Sequence, residues 1–188
     1  PNNRNHLEKL KPARSAGKRG ADLIRHLLTF ARREQRENEV VDPGRTIDGV
    51  IPLLRRALGA RINLVAQIEP GIGTLNASAA QLESVVVNLA MNARDAIAKK
   101  GSVTIRVAAA EVSQAEAARL GLSYGGTYVE LSVRDDGCGI PASVLGRIFE
   151  PFFSTKAERG GTGLGLSMVR GFAQSCGGCV SAQSTLGV

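Results

Sequence analysis

The chain has no tryptophan, aromatic residues make up only 4% of it, and it holds three cysteines. So few flat side chains leave little on which unpaired bases could stack, which argues against single-stranded nucleic acid as a ligand. Three cysteines in 188 residues cannot form a disulfide framework, and a reducing compartment is the natural setting. No stretch approaches the roughly 18–20 consecutive apolar residues of a membrane-spanning helix. The amino-terminal PNNRNHLEKL also lacks the apolar centre of a signal peptide. These absences describe a soluble, cytoplasmic chain.

What is present is core-forming material. Apolar residues make up 43% of the sequence, which excludes wholesale disorder, and the length fits one domain with an appendage. The net charge is +7 and sits at one end: residues 1–60 hold 13 Lys and Arg against 7 Asp and Glu, whereas residues 61–188 hold 11 against 10. A basic end invites a duplex nucleic-acid reading, which steeply salt-dependent binding would reveal.

The basic end reads as one helix from Leu7 to about Glu37. Leu10, Ala13, Gly17, Ala21, Ile24, Leu28 and Ala31 repeat at three and four residues and draw a narrow apolar seam, with Pro12 in the first turn. Lys18, Arg19, Arg25, Arg32, Arg33 and Arg36 cover its other faces, so such a helix must pair with another helix. Composition changes around Val40-Val41-Asp42-Pro43-Gly44, which places a domain boundary there and gives segments 1–39 and 40–188. The second segment reads as a helix over Thr46–Leu58 bent at Pro52, a strand at Ile62–Ile68 and a helix at Ala79–Lys99. A strand at Val103–Ala109, a polar Ala/Gly insert and a strand at Tyr128–Arg134 follow. A helix at Gly163–Ser175 and a strand at Cys179–Ser184 end the chain. This order implies an α/β fold, a two-layer sandwich of a mixed sheet with helices on one face. Cys176-Gly177-Gly178-Cys179 has CxxC spacing but no second ligand pair; the reading preferred is two glycines ending a helix in left-handed conformation, flanked by cysteines that pack as small hydrophobes.

Three clusters carry the chemistry. On the helix 79–99, Leu82, Val85, Val86, Leu89, Ala93, Ala96 and Ile97 form the core stripe, while Asn88, Asn92, Asp95 and Lys99 align on one polar stripe. A solvated face would favour Glu, Lys and Arg; asparagine is a poor helix former but offers a neutral oxygen suited to Mg²⁺ that also binds phosphates. In Val133-Arg134-Asp135-Asp136-Gly137-Cys138-Gly139-Ile140-Pro141, a strand delivers Asp135 as an acceptor for an amino group, and the glycines let a ligand approach. Gly160-Gly161-Thr162-Gly163-Leu164-Gly165-Leu166 precedes a helix, with Thr162 as the expected N-cap, so its amides can face a polyphosphate. It matches neither a Walker A nor a Rossmann turn. Between these last two, Ile148-Phe149-Glu150-Pro151-Phe152-Phe153-Ser154-Thr155-Lys156 reads as a lid packed by its aromatics.

In this order the clusters resemble the ATP-binding catalytic domain of sensor histidine kinases, in the superfamily shared with type II topoisomerases, Hsp90-type chaperones and mismatch-repair ATPases. Residues 88–96 resemble the N box, 135–140 the G1 box, 149–153 the F box and 161–166 the G2 box. The resemblance implies that ATP lies between the N-box helix and the lid. Asn92, aided by Asn88, would hold Mg²⁺, with Ala93, Asp95 and Ala96 along the same helix at the nucleotide. Asp135 would accept from the adenine amino group, with Gly137, Gly139 and Ile140 forming its turn. Lys156 in the lid and the backbone of Gly161, Thr162, Gly163, Leu164 and Gly165 would hold the phosphates, with Phe152 of the lid also at the nucleotide. Lys99 reads as a solvated lysine.

Ala21–Arg33 resembles the second helix of the dimerisation and phosphotransfer hairpin of hybrid-type kinases. That implies a homodimer in the intact protein, an acceptor helix and a response-regulator receiver domain as partners rather than nucleic acid, and membrane attachment only through other parts of the parent. His6 and His26 both precede leucine where the family shows an acidic residue after its phosphoacceptor, so both read as ordinary helix residues. A chain stopping at Val188, before the family's usual final strand, reads as a fragment. Hydrolysing relatives carry a glutamate general base at the position of Asn88, and an amide cannot take that proton. The resemblance therefore implies a protein histidine kinase that passes the ATP γ-phosphoryl group to a histidine upstream of this chain, which itself holds no catalytic residue; a non-catalytic nucleotide-binding module and a hydrolysing ATPase are the alternatives.

Overall fold

The computed structural model describes residues 39–156 and 161–187. The basic helix expected over residues 7–37, its seam and both histidines lie outside the described residues. Two antiparallel three-residue strands, β1 (Glu39–Val41) and β3 (Leu75–Ala77), pair at one margin. The main sheet has the order β2 (Ile62–Ile68), β4 (Gly101–Val112), β5 (Gly126–Asp135), with β2 parallel and β5 antiparallel to β4. A parallel pair needs a long crossover, and the helix α2 (Ala79–Ala96) supplies it.

Alternation decides the faces. Val103, Ile105 and Val107 of β4 point inward and are fully buried, while Arg106 points outward and bridges Glu69 at 2.7 Å and Glu130 at 3.0 Å. The inward face receives α1 (Pro43–Leu58) and α2. Ile47 and Leu54 of α1 and Val86 of α2 are wholly removed from solvent, and α5 (Gly165–Ser175) packs on α2 through Val169 and Phe172. The mixed sheet with helices on one face is therefore as expected.

Several boundaries differ from the sequence reading. α1 begins at Pro43, three residues before the expected Thr46: Asp42 caps it by accepting the Arg45 N–H at 3.0 Å, and Pro43 occupies the first turn, where a missing N–H costs nothing. The helix continues through Pro52, which lies on its exposed side, where water can satisfy the carbonyl left without a partner. α2 ends at Ala96, because Ile97 turns to extended backbone to bury its side chain, so Lys99 lies beyond the polar stripe.

The insert between β4 and β5 holds a helix, α3 (Gln114–Leu120), started by a capping box between Ser113 and Glu116. Those bonds hold the Glu116 carboxyl below its ordinary range. A one-turn helix, α4 (Ala142–Leu145), follows β5. Residues 179–184 form no ladder, although Val180 packs against the core. At the end of α5, Gly177 alone is left-handed (φ 71°). Its N–H donates to Gln174 O at 3.0 Å, and that of Gly178 donates to Ala173 O at 2.8 Å, which is a Schellman stop. Cys176 packs against the core, and burial pushes its thiol up; Cys179 is exposed.

Pro52→Ala restores a helical donor worth up to about 3 kcal/mol but loosens the unfolded chain by up to about 1 kcal/mol. It should raise stability by about 1–2 kcal/mol in urea titrations. Leu54→Ala, two residues on and on the buried side of the helix, should lower it by about 2–5 kcal/mol in the same assay.

Candidate functional site

α2 places its asparagines by rotation. Val85, Val86, Ala90 and Ala93 turn into the core, which leaves Asn88 half-buried and Asn92 exposed beside α5. The first residue of α5 is Gly165, and a Cβ built there would lie 3.8 Å from the Asn88 amide carbon and oxygen and 3.9 Å from the Asn92 nitrogen. A methyl group there would make only ordinary van der Waals contact, so the opening of α5 stands within one side chain's reach of both amides. Leu164 occupies the N-cap position and no side chain caps the helix. The first helical bond runs from Met168 N–H to Leu164 O at 3.0 Å, so the amides of the opening turn are free of helical partners. An uncapped helix start carries partial positive charge and suits an anion.

Thr162 is not the N-cap. Gly163 has φ 68° and inserts a left-handed bend before the helix, so the Thr162 hydroxyl instead accepts the Leu164 N–H at 3.4 Å. Across from this bend stands Phe152, the one described non-glycine residue with positive φ (65°). Its N–H donates to Gly163 O at 3.0 Å, and a Cβ on Gly163 would overlap the Phe152 backbone. Gly161 N–H donates to Lys156 O at 3.0 Å.

The aromatic segment packs only in part. Ile148 is buried, Phe149 and Phe153 are half-buried, and the Arg147 guanidinium lies 4.6 Å from the Phe153 ring centre. Phe152, by contrast, is 67% exposed. The Lys156 ammonium stands 3.6 Å from the Asp95 carboxylate, whose other oxygen takes the Arg94 guanidinium at 3.1 Å. Such an exposed pair contributes about 1 kcal/mol at most, so Lys156 can exchange Asp95 for another anion.

At the other end of the site, Asp135 closes β5 opposite Val103. Its Oδ1 accepts the Gly137 N–H at 2.9 Å, and its other oxygen has no hydrogen-bond partner among the described residues. The turn sits on the carboxyl end of α2: Cys138 N–H donates to Ala96 O at 3.1 Å, and a Cβ on Gly137 would fall 2.6 Å from the Ala96 Cβ. Gly139 has φ 71° and backs onto Thr185, and Ile140 N–H donates to the Ser184 hydroxyl at 2.8 Å. From Asn88 to Ala96 is about 12 Å of helix at ~1.5 Å per residue, so one helix spans both the anion end and the carboxylate end.

Sequence reasoning did not single out Arg94, Ser154 or Ser184 as supports. Arg94 was hidden by its place beside the asparagine stripe; Ser154 accepts the Lys156 N–H at 3.0 Å inside the aromatic segment, and Ser184 meets the Ile140 turn only through the fold. Among the described residues no group of three or more His, Cys, Asp or Glu is arranged to hold a metal.

Comparison with known proteins agrees with this geometry. The profile of the family described as histidine kinase-, DNA gyrase B- and HSP90-like ATPase matches residues 77–188. The chain is 42% identical over 171 residues to the sensor kinase CckA of Brucella abortus, covering 90% of this chain and 18% of that protein. It is 37% identical over 162 residues to the two-component sensor PprA of Pseudomonas aeruginosa, covering 85% of this chain and 17% of that protein. It thus spans about a fifth of these relatives' length. Among solved structures it resembles the mycobacterial sensor histidine kinase MprB, with TM-score 0.58 and 25% identity over 74% of this chain and 80% of that one. The catalytic domain of histidine kinase ThkA gives TM-score 0.56 and 26% identity, over 74% and 83%. The chain belongs to the histidine kinase-, DNA gyrase B- and HSP90-like ATPase family. Within that family its relatives are sensor histidine kinases, and the domain is the ATP-binding one.

Gly163→Ala should force the Phe152 backbone away from the Gly-rich turn. We expect ATP affinity to fall at least about tenfold by titration calorimetry, since a left-handed alanine alone costs about 1–2 kcal/mol.

Proposed function

We propose that this chain is the ATP-binding catalytic part of a two-component sensor histidine kinase and that it passes the ATP γ-phosphoryl group to a histidine on a helix outside the described domain. The observation that carries the reading is the uncapped start of α5 facing Asn88 and Asn92 across the width of one methyl group. In this reading Asp135 accepts from the adenine amino group with its unpaired oxygen. The amides of the Gly161–Gly165 turn that are not already bonded, those opening α5 foremost, and the Lys156 ammonium take the phosphates, Lys156 leaving Asp95 to do so. Asn92 and Asn88 offer neutral oxygens that suit Mg²⁺ carried in on the phosphates and keeping several waters. Bound there, Mg²⁺ would offset phosphate charge. The chain's own residues contribute alignment: they hold the terminal phosphate in line with an incoming imidazole nitrogen, and no protein group becomes covalently modified within this domain.

The basic segment 1–38 fits a helix that pairs in a dimeric bundle and meets an acidic receiver surface of a response regulator. The intact protein would then be a homodimer acting in the cytoplasm. Asn88 stands where hydrolysing relatives would need a base, and its amide cannot accept a proton from water.

Incubating the chain with ATP, Mg²⁺ and a separately prepared acceptor-helix domain should yield phosphohistidine on the acceptor. Phosphate release without the acceptor should be slow, and Asn92→Ala should lower transfer by two orders of magnitude or more, on the order of the charge-stabilising contacts it removes. ATP binding without any transfer would favour a non-catalytic module. Rapid phosphate release that survives Asn92→Ala but is lost in Asn88→Ala would contradict the kinase reading.

A further inference from the structure

Two carboxylates stand side by side at the end of β5, and the reading above uses only Asp135. Asp136 is turned to another partner. Its Oδ1 accepts the Ser102 N–H at 2.8 Å, and its own N–H donates to Ser102 O at 3.4 Å. The two bonds close a ring between the start of β4 and the turn that follows β5, one step past the last ladder pair, Val103–Asp135. Gly101 leaves the space for it: a Cβ at that position would overlap the Asp136 carboxylate and press to 2.8 Å from the Ile97 Cγ2.

The contact joins residues 34 apart in sequence, so it is not a local turn bond. The Gly137 N–H bond to Asp135, by contrast, lies inside the turn and moves with it. A bond from a backbone amide to a carboxylate is among the stronger hydrogen bonds available, and here it ties the residue next to Asp135 directly to the sheet. The Cys138–Ala96 and Ile140–Ser184 bonds anchor the same loop further along.

We propose that Asp136 is a positioning residue for Asp135. By fixing the turn to the amino end of β4, it sets the direction of the Asp135 carboxylate and hence the preference for the amino group of adenine over the carbonyl that guanine presents at the same place. A carboxylate accepts from the first and repels the second, but only if it is aimed. Asp136 itself touches no ligand. This inference rests on the nucleotide reading above.

The test is displacement of a fluorescent ATP analogue from the 188-residue chain by ATP, GTP and inorganic tripolyphosphate, with thermal unfolding of every variant. Asp136→Ala should weaken ATP about tenfold and shrink the ATP-over-GTP ratio, while tripolyphosphate competes as well as before. Asp136→Asn, whose side-chain oxygen still accepts from Ser102, should recover most of the loss. Gly101→Ala should reproduce the Asp136→Ala pattern with both carboxylates intact.

An unchanged ATP-over-GTP ratio in Asp136→Ala overturns the proposal. So does a loss shared equally by ATP, GTP and tripolyphosphate in step with Tm, or failure of both the Asp136→Ala and Gly101→Ala chains to fold, since either result makes the residue purely structural. If Asp135→Asn leaves the ratio unchanged, the assignment of adenine to Asp135 fails first and takes this inference with it. A wild-type chain whose ratio depends on Asp135 but not on Asp136 sinks the inference alone.

Discussion

Every functional group at this site is placed by the seat of α2 between the sheet and α5. Ala90 and Ala93 are small enough to bring neighbouring elements close, and both are essentially buried. Val86 is locked against the sheet, and Val169 and Phe172 hold α5 from the other side. Burying side chains of this size contributes about 1.5–3 kcal/mol each, far more than any polar contact at the site's margin. The rotation of α2 about its axis is therefore set by apolar packing. Asn88 and Asn92 face α5 because Val85, Val86, Ala90 and Ala93 cannot face anywhere but inward. The polar chemistry inherits its geometry from the core.

The two ends of the site are held by different means. At the α5 end, glycines remove side chains so that backbone can meet backbone, and the positive charge comes from helix amides rather than from lysine or arginine. At the β5 end, hydrogen bonds from turn amides and from β4 fix a carboxylate. Arg106, the most heavily paired cation of the sheet, lies on the outer face with Glu69 and Glu130 and takes no part in either. Its half-exposed network does little for stability, but an outer face of alternating charge discourages the sheet from joining another.

Much of this was legible because periodicity and motif spacing are local properties. The strands β2, β4 and β5 alternate, α2 and α5 repeat at three and four residues, and the asparagine pair, the Asp-Gly turn and the Gly-rich loop are each contiguous in sequence. What escaped was either ambiguous locally or decided at a distance. The start of α1 reads as Thr46 instead of Pro43, because the Asp42-Pro43-Gly44 that opens a capped helix uses the same residues as a turn. α3 was missed although Ser113 and Glu116 spell its capping box, because the surrounding alanines and glycines resembled a linker. β1 and β3 are too short to show alternation. Thr162 was placed two residues early as a cap, since nothing in the sequence says that Gly163 bends left-handed against Phe152. Residues 179–184 alternate like a strand, but a strand also needs a neighbour to bond to, and alternation cannot supply one.

The bond between Phe152 and Gly163 joins two chain segments at points where both backbones are left-handed. Neither residue can leave that conformation without separating from the other. The aromatic segment and the turn that opens α5 are thus a single mechanical piece with two ends. The backbone that carries the exposed Phe152 side chain is thereby one hydrogen bond away from the peptide that leads into α5. The uncapped end of that helix thus has a neighbour on the protein surface.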